Sequence, residues 1–494
     1  MAESYIISID QSTQGTKALL FDQDGMLFQR KDLPHKQIIN EKGWVSHDPE
    51  EIYQNTVQVV KNLVEASGIS KESVKGIGIS NQRETSLVWE KETGKAIAHA
   101  VVWQCARAAE ICRRVEKTGA AEMIRKKTGL ALSPYFPASK LAWLKENVEG
   151  AEALAKKHAL CFGTIDTWLV YRMTHGTSYK TDYSNASRTQ LFDIFEQRWD
   201  EEICQLFGLD AQDLAEVCDS DSCFGETDLD GFFEKPVPIH SVLGDSHGAL
   251  FGQGCLEKGM IKSTYGTGSS IMMNIGETPV LSTHGVVTSL AWGMQGKINY
   301  VLEGNINYTG AVITWLKDDM ELIQSPAETE ELCRKAEADD SLYFVPAFTG
   351  LGAPYWNSEA KGALIGITRT TRKAEMVCAG VECIAYQIAD VVNAMSQDAK
   401  TEIQELRVDG GPTRNQYLMQ FQSDITNKCV NIPDAEELSG IGAAYMAGIS
   451  AGVYDLEKLA GNMKRSVYEP KMDDEIREKK YAGWKKAVDG VLSK

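Results

Sequence analysis

Asp10 closes an apolar run, YIISID, and within one turn is followed by Ser12, Thr13, Gln14, Gly15, Thr16 and Lys17. Hydroxyls, backbone N–H groups and an ammonium suit phosphate oxygens, while a carboxylate at a strand end suits a hydrated magnesium ion. A second turn of small residues, from Thr264 to Ser270 (TYGTGSS), would let the backbone come close to phosphates. A third segment, Arg407 to Pro412 with Asn415 opening the helix that follows, runs a strand into paired glycines at a helix start. That gives a flat surface for a purine ring or a phosphate. Taken singly, each also fits an ordinary hairpin or strand-to-helix turn, since such turns favour these residue types. Two hairpins of this kind in one chain shift the balance, because a nucleotide held between two lobes needs a phosphate-holding turn from each.

The remaining candidates are Asn81-Gln82-Arg83-Glu84, Trp103, Tyr135 and Asp245. A polyol has hydroxyls that both donate and accept, so an Arg–Glu neighbour pair, a phenol and a second carboxylate beside an aromatic wall could satisfy them. Spacing alone does not bring these residues together, and each also fits a surface ion pair or a half-buried aromatic.

The elements that must position these residues are mixed α/β. Strands are expected at residues 5–10 and 18–22, joined by the polar turn, with Gly15 available for a positive-φ position. Further strands fall at 76–80 and 85–89, and three- and four-residue apolar spacing predicts helices at 49–66, 104–117 and 139–147. The segment MIKSTYGTGSSIMMNIG repeats the order of residues 5–22, strand, small-residue turn, strand, which suggests a weak internal duplication. Helices are then expected at 308–322, 373–397, 416–426 and 440–451, with a lobe boundary near 250–260 where Gly252, Gly254 and Gly259 punctuate the chain.

The chain has 494 residues, 51 basic and 69 acidic, for a net charge of −18, and no basic run long enough to track a nucleic acid. Its eleven cysteines are scattered without CxxC spacing and read as reduced thiols. The amino terminus lacks a basic segment leading into a long apolar core, and no stretch of about 18 apolar residues occurs, so a soluble cytoplasmic enzyme with no membrane span is expected. Neither GxxxxGK[ST], nor a strand-to-helix GxGxxG, nor HExxH is present, which removes the P-loop, dinucleotide-binding and zinc-protease readings.

Longer motifs carry a resemblance: GWVSHDP from Gly43, SNQRETSLVWEKETGKAIAHAVVWQC from Ser80, GTIDTWL from Gly163, TDYSNASRTQLFDI, the YGTG turn, PAFTGLGAPYW from Pro346 and LRVDGGPTRNQYLMQFQSDI from Leu406. On these the chain resembles the FGGY carbohydrate kinases and, within them, the glycerol kinases. The resemblance implies a two-lobed ribonuclease H-like fold of the actin, hexokinase and sugar-kinase type, with an interdomain cleft between lobes 1–254 and 255–494. It implies ATP and Mg2+ as cofactors and a small polyol or sugar as acceptor, and it leaves a homodimer or a homotetramer open. Arg83, Glu84, Trp103, Tyr135 and Asp245 would hold the polyol, with Asp245 as catalytic base. Thr13, Gln14, Gly15, Lys17, Thr267, Gly310, Thr314, Gly411 and Asn415 would line the nucleotide, and Asp10 with Asp245 would hold the metal. The chain departs from the glycerol kinase pattern at Ser246, where those enzymes usually have Gln, and at Ser270, where they usually have Phe. Lys17 replaces their usual Arg, keeping the charge but not the bidentate fork. The two serines would widen the pocket, so glycerol and a four- or five-carbon polyol or ketose (erythritol or xylulose type) are both acceptor hypotheses. A non-catalytic sugar-binding sensor is the alternative from another class.

Overall fold

The computed structural model describes residues 4–337, 341–460 and 463–493. Two large sheets carry the architecture, and they repeat one pattern. In the first, Tyr5–Gln11 pairs antiparallel with Gly15–Phe21, which pairs antiparallel with Leu27–Pro34. On its other side Tyr5–Gln11 runs parallel to Val74–Asn81, and that strand runs parallel to Val237–Gly244. In the second, Ile261–Tyr265 pairs antiparallel with Ser269–Gly276, then Lys297–Ile306 and Val287–Met294 follow. On the other side Glu405–Gly410 and Cys429–Pro433 add in parallel. The duplication legible in the two hairpins therefore extends to whole sheets. Every residue of Tyr5–Gln11 is buried, as a central strand covered on both faces requires.

Gly15 serves a different purpose from the one expected. Its φ is not positive; instead a Cβ there would lie 2.6 Å from the Leu33 carbonyl oxygen, so glycine is needed for the close approach of the third strand. The strand Ser86–Glu90 belongs to a separate five-stranded sheet, so the Asn81–Glu84 stretch carries the chain from one sheet to another. Glu84 takes a left-handed conformation there, with φ of 60°.

Most expected helices lie where periodicity placed them, as Pro49–Ser67, Pro137–Asn147, Lys373–Ala399, Gln416–Thr426 and Leu438–Ser450. Two differ. The helix expected at 104–117 is Ala109–Glu116, because the residues before it are held in a turn: Arg107 donates to the Val45 carbonyl at 2.8 Å and to Ser46, and Cys105 Sγ accepts from the Val45 N–H. The helix expected at 308–322 is Gly310–Thr314, which widens into a π-helical turn over Trp315–Asp319.

The helices Asp245–Gly252 and Leu438–Ser450 cross with their backbones in contact. A Cβ on Gly442 would lie 1.9 Å from the Gly248 carbonyl oxygen, and one on Gly248 would lie 2.8 Å from that of Ser439. The later helix also touches the first sheet, where Ser241 Oγ donates to the Ala443 carbonyl at 2.7 Å. The carboxy-terminal half thus reaches back across the molecule. All eleven cysteines are free, and most are buried. Among the described residues no helix is long and apolar enough to cross a membrane.

Candidate active site

Asp10 ends the central strand of the first sheet and is buried. Ser80 Oγ donates to its Oδ1 at 3.1 Å, and Lys17 Nζ lies 3.8 Å from its Oδ2. Burial pushes the Asp10 carboxyl up to about 6; Lys17 opposes this, and the negative charges of Asp245 and Glu437 add to it. Asp245 is therefore near enough for its charge to act on the Asp10 carboxyl.

Asp245 is the first residue of its helix and follows directly on Val237–Gly244. Its carboxylate is 38% exposed, accepts the Ser246 N–H at 2.6 Å and lies 3.3 Å from Arg83 Nε. A negative side chain at a helix start is favoured by the helix dipole.

Arg83 and Glu84 are buried within a four-charge network. Arg83 donates from both guanidinium ends to Glu303, at 2.8 and 3.0 Å, and its Nε lies 3.9 Å from Glu84. Arg188 Nε donates to Glu84 at 2.7 Å, and Arg188 Nη1 lies 2.9 Å from Glu303. Burial works to raise the Glu303 carboxyl, but the Arg188 and Arg83 guanidiniums overcome it and hold the group well below the usual carboxylate range. Neither Arg188 nor Glu303 was singled out from sequence. Arg188 lies inside the TDYSNASRTQLFDI run, and Glu303 is a lone carboxylate in the apolar strand YVLEG, the one local signal of a buried charge partner.

Trp103 and Tyr135 meet edge to face, with ring centroids 5.7 Å apart, and burial raises the Tyr135 phenol. Trp103 Nε1 donates to Thr13 Oγ1 at 3.0 Å, so the aromatic wall is tied to the first phosphate-type turn. Ser246 and Ser270, far apart in sequence, face each other with hydroxyl oxygens 3.5 Å apart.

The second turn caps a helix. The N–H of Gly310 donates to Gly266 O at 2.9 Å and that of Ala311 to Thr267 O at 3.0 Å, leaving Thr267 at an exposed tip. Gly310, Thr314, Gly411 and Asn415 line one cavity of about 520 Å3, with Ile313 and Leu418 as apolar walls. Asn415 caps the Gln416–Thr426 helix through the Leu418 N–H at 2.9 Å and donates to Thr329 Oγ1 at 2.9 Å, which fixes the cavity floor. Thr13, Gln14, Gly15 and Lys17 stand outside that lining, on the first hairpin. Lys17 Nζ donates to Glu437 at 2.7 Å, and Arg30 pairs with the same carboxylate.

Two duplicated sheets, a phosphate-type hairpin in each, and a helix-start carboxylate between them define a two-domain ATPase-type phosphotransferase of the actin and hexokinase class. Family-level comparison agrees: residues 5–252 match the N-terminal domain of the FGGY family of carbohydrate kinases, and residues 261–451 match its C-terminal domain. The chain belongs to this family, and its activity is transfer of a phosphoryl group to an alcohol. It is 47% identical over 491 residues to glycerol kinase 1 of Thermotoga maritima, covering 99% of this chain and 100% of that protein. It is 44% identical to the glycerol kinase of Staphylococcus haemolyticus, covering 99% and 98%. The Plasmodium falciparum glycerol kinase solved with ADP superposes with a TM-score of 0.93 at 35% identity, over 99% of both chains. A xylulose kinase from Lactobacillus acidophilus shares the fold, with a TM-score of 0.89 at 20% identity.

Proposed function

We propose that this enzyme transfers the γ-phosphoryl group of ATP to a terminal hydroxyl of glycerol. The observation that carries the reading is the placement of Asp245: a partly exposed carboxylate at a helix start, beside Arg83 and within the field of Asp10. An alcohol with a pKa of roughly 16, like that of water, attacks poorly unless its proton leaves as the new bond forms. Asp245 accepts that proton. Arg83, Glu84 and Tyr135 hold the polyol hydroxyls, and Trp103 shields its carbon face.

The residues present also fit a magnesium ion. Burial and two neighbouring carboxylates make the charged form of Asp10 costly, which a divalent cation would offset, and hard oxygen donors are what that ion prefers. When bound, Mg2+ would neutralise phosphate charge, with Asp10 and Asp245 as its protein-side holders. Thr13, Gln14, Gly15, Lys17 and Thr267 would line the phosphates, while Gly310, Thr314, Gly411 and Asn415 hold the adenosine. We assign these roles to lobes 1–254 and 255–494. ADP formation measured with glycerol and Mg-ATP tests the reading. Asp245→Asn should lower kcat by about a hundredfold to ten-thousandfold, the range for loss of a general base, with little change in ADP affinity by calorimetry. Equal losses of affinity and rate would remove Asp245 from the role of base.

A further inference from the structure

We infer that Gln253 is a positioning residue for phosphoryl transfer: its side-chain amide joins the helix that begins with Asp245 to the strand that runs into Gly410 and Gly411, and so aligns the base against the nucleotide segment. This rests on Asp245 as the base and adds what holds that base in register.

The helix Asp245–Gly252 has eight residues, about 12 Å at 1.5 Å per residue, so its two ends move together. Asp245 opens it. Gln253 closes it, with its N–H on the Ala249 carbonyl at 2.8 Å, and is fully buried. The backbone carbonyl of Gln253 accepts from Arg407 Nη1 at 2.6 Å and from Arg465 Nη2 at 2.7 Å. Cations at a helix C-terminus also suit its dipole. The end of the helix is therefore seated by main-chain contacts that any side chain at position 253 would keep.

The side chain makes a different connection. Its Nε2 donates to Asp409 Oδ2 at 3.0 Å and its Oε1 accepts from Arg465 Nη1 at 2.8 Å, a pairing that only one orientation of the amide satisfies. Asp409 lies near the end of Glu405–Gly410, just before Gly411, which lines the cavity of about 520 Å3. The same Oδ2 accepts from Thr264 Oγ1 at 3.2 Å, and that hydroxyl accepts from Lys262 Nζ at 3.1 Å. Thr264 is the partner of Asp409 in the parallel register, and a Cβ on Gly410 would lie 2.0 Å from the Tyr265 carbonyl oxygen, so this strand also fixes where the second turn begins. One amide thus meets the strand into Gly411 and, through Asp409, the strand into the second turn.

Gln253 is not among the residues lining that cavity, so its loss should spare the substrate contacts and disturb alignment. A base must stand within hydrogen-bond reach of the attacking hydroxyl, and a misplacement of about 1 Å can cost about a hundredfold in rate. Burial works to raise the Asp409 carboxyl; Lys262 opposes this, and the hydrogen bonds from Gln253 and Thr264 add to the opposition, so the amide also steadies the charge it holds.

The test measures turnover with glycerol and Mg-ATP at pH 8, and ADP affinity by calorimetry, in the wild type, Gln253→Met, Gln253→Glu and the double variant Gln253→Glu with Asp409→Asn. Gln253→Met keeps the length of the side chain but neither hydrogen bond; kcat should fall by about tenfold or more, with KM for glycerol and Kd for ADP within about threefold of the wild type. Gln253→Glu sets two carboxylates against each other and should lower kcat at least as far. Adding Asp409→Asn exchanges donor and acceptor, and should recover most of that loss, which a space-filling role would not produce. A kcat for Gln253→Met within about twofold of the wild type, a loss of ADP affinity matching the loss of rate, or no recovery in the double variant would overturn the positioning role. Asp245→Asn, run alongside, separates the two readings: if it keeps the wild-type rate, Asp245 as base falls and the positioning role with it, whereas an inactive Asp245→Asn beside fully active Gln253 variants overturns the positioning role alone.

Discussion

Replacing Asp10 by Asn should stabilise the metal-free protein, and by more as the pH rises. Burial holds the Asp10 carboxyl at about 6 in the folded chain, against 3.8 as the ordinary value. The folded form thus binds more protons than the unfolded form between those two values, so this group costs stability progressively as pH climbs from about 4 to 6. At roughly 1.4 kcal/mol per unit the cost reaches about 1–2 kcal/mol at pH 5 and about 3 kcal/mol at pH 8. Asparagine keeps an acceptor for Ser80 and has no charge to desolvate, so the variant escapes that cost. Urea unfolding of both proteins in EDTA, at pH 5 and pH 8, reads the difference directly. The advantage of Asp10→Asn should grow by about 1–2 kcal/mol between the two, and added magnesium at pH 8 should stabilise the wild type more than the variant. A constant gap, or a less stable variant at pH 8, would refute the argument that Asp10 sits charged at a cost in wait for a cation.

Two further outcomes follow from packing. Glu303→Gln leaves two buried guanidiniums with one buried carboxylate between them, Glu84, and the partly exposed Asp245 beside Arg83, and should cost about 3–5 kcal/mol in urea unfolding; a loss below about 1 kcal/mol would mean the network contributes little beyond its desolvation cost. Gly442→Ala places a methyl against the Gly248 carbonyl and should cost about 1–3 kcal/mol while depressing kcat, because the displaced helix is the one that begins with Asp245. A variant with wild-type stability and rate would show that the two helices can part without consequence.

The hairpins were legible because their signals are local: an apolar run, a turn of small polar residues and a second apolar run need no partner elsewhere in the chain. Asn415 as a helix opener was legible for the same reason, since capping is settled within a few residues. Arg188 and Glu303 were not, because what makes them important is a pairing over more than a hundred residues, which periodicity does not encode. Gly15 shows a third case. Its identity marked it as special, but the reason was the nearby Leu33 carbonyl of a neighbouring strand rather than its own dihedral angle.

The glycine crossing between Asp245–Gly252 and Leu438–Ser450 also constrains how such a protein can be re-engineered. Each partner supplies a bare stretch of main chain that only an equally bare stretch can meet, so neither segment is interchangeable alone. A chimera grafting the last third of another enzyme onto this amino-terminal portion must import both surfaces as a matched set, or Asp245 will be displaced at its root.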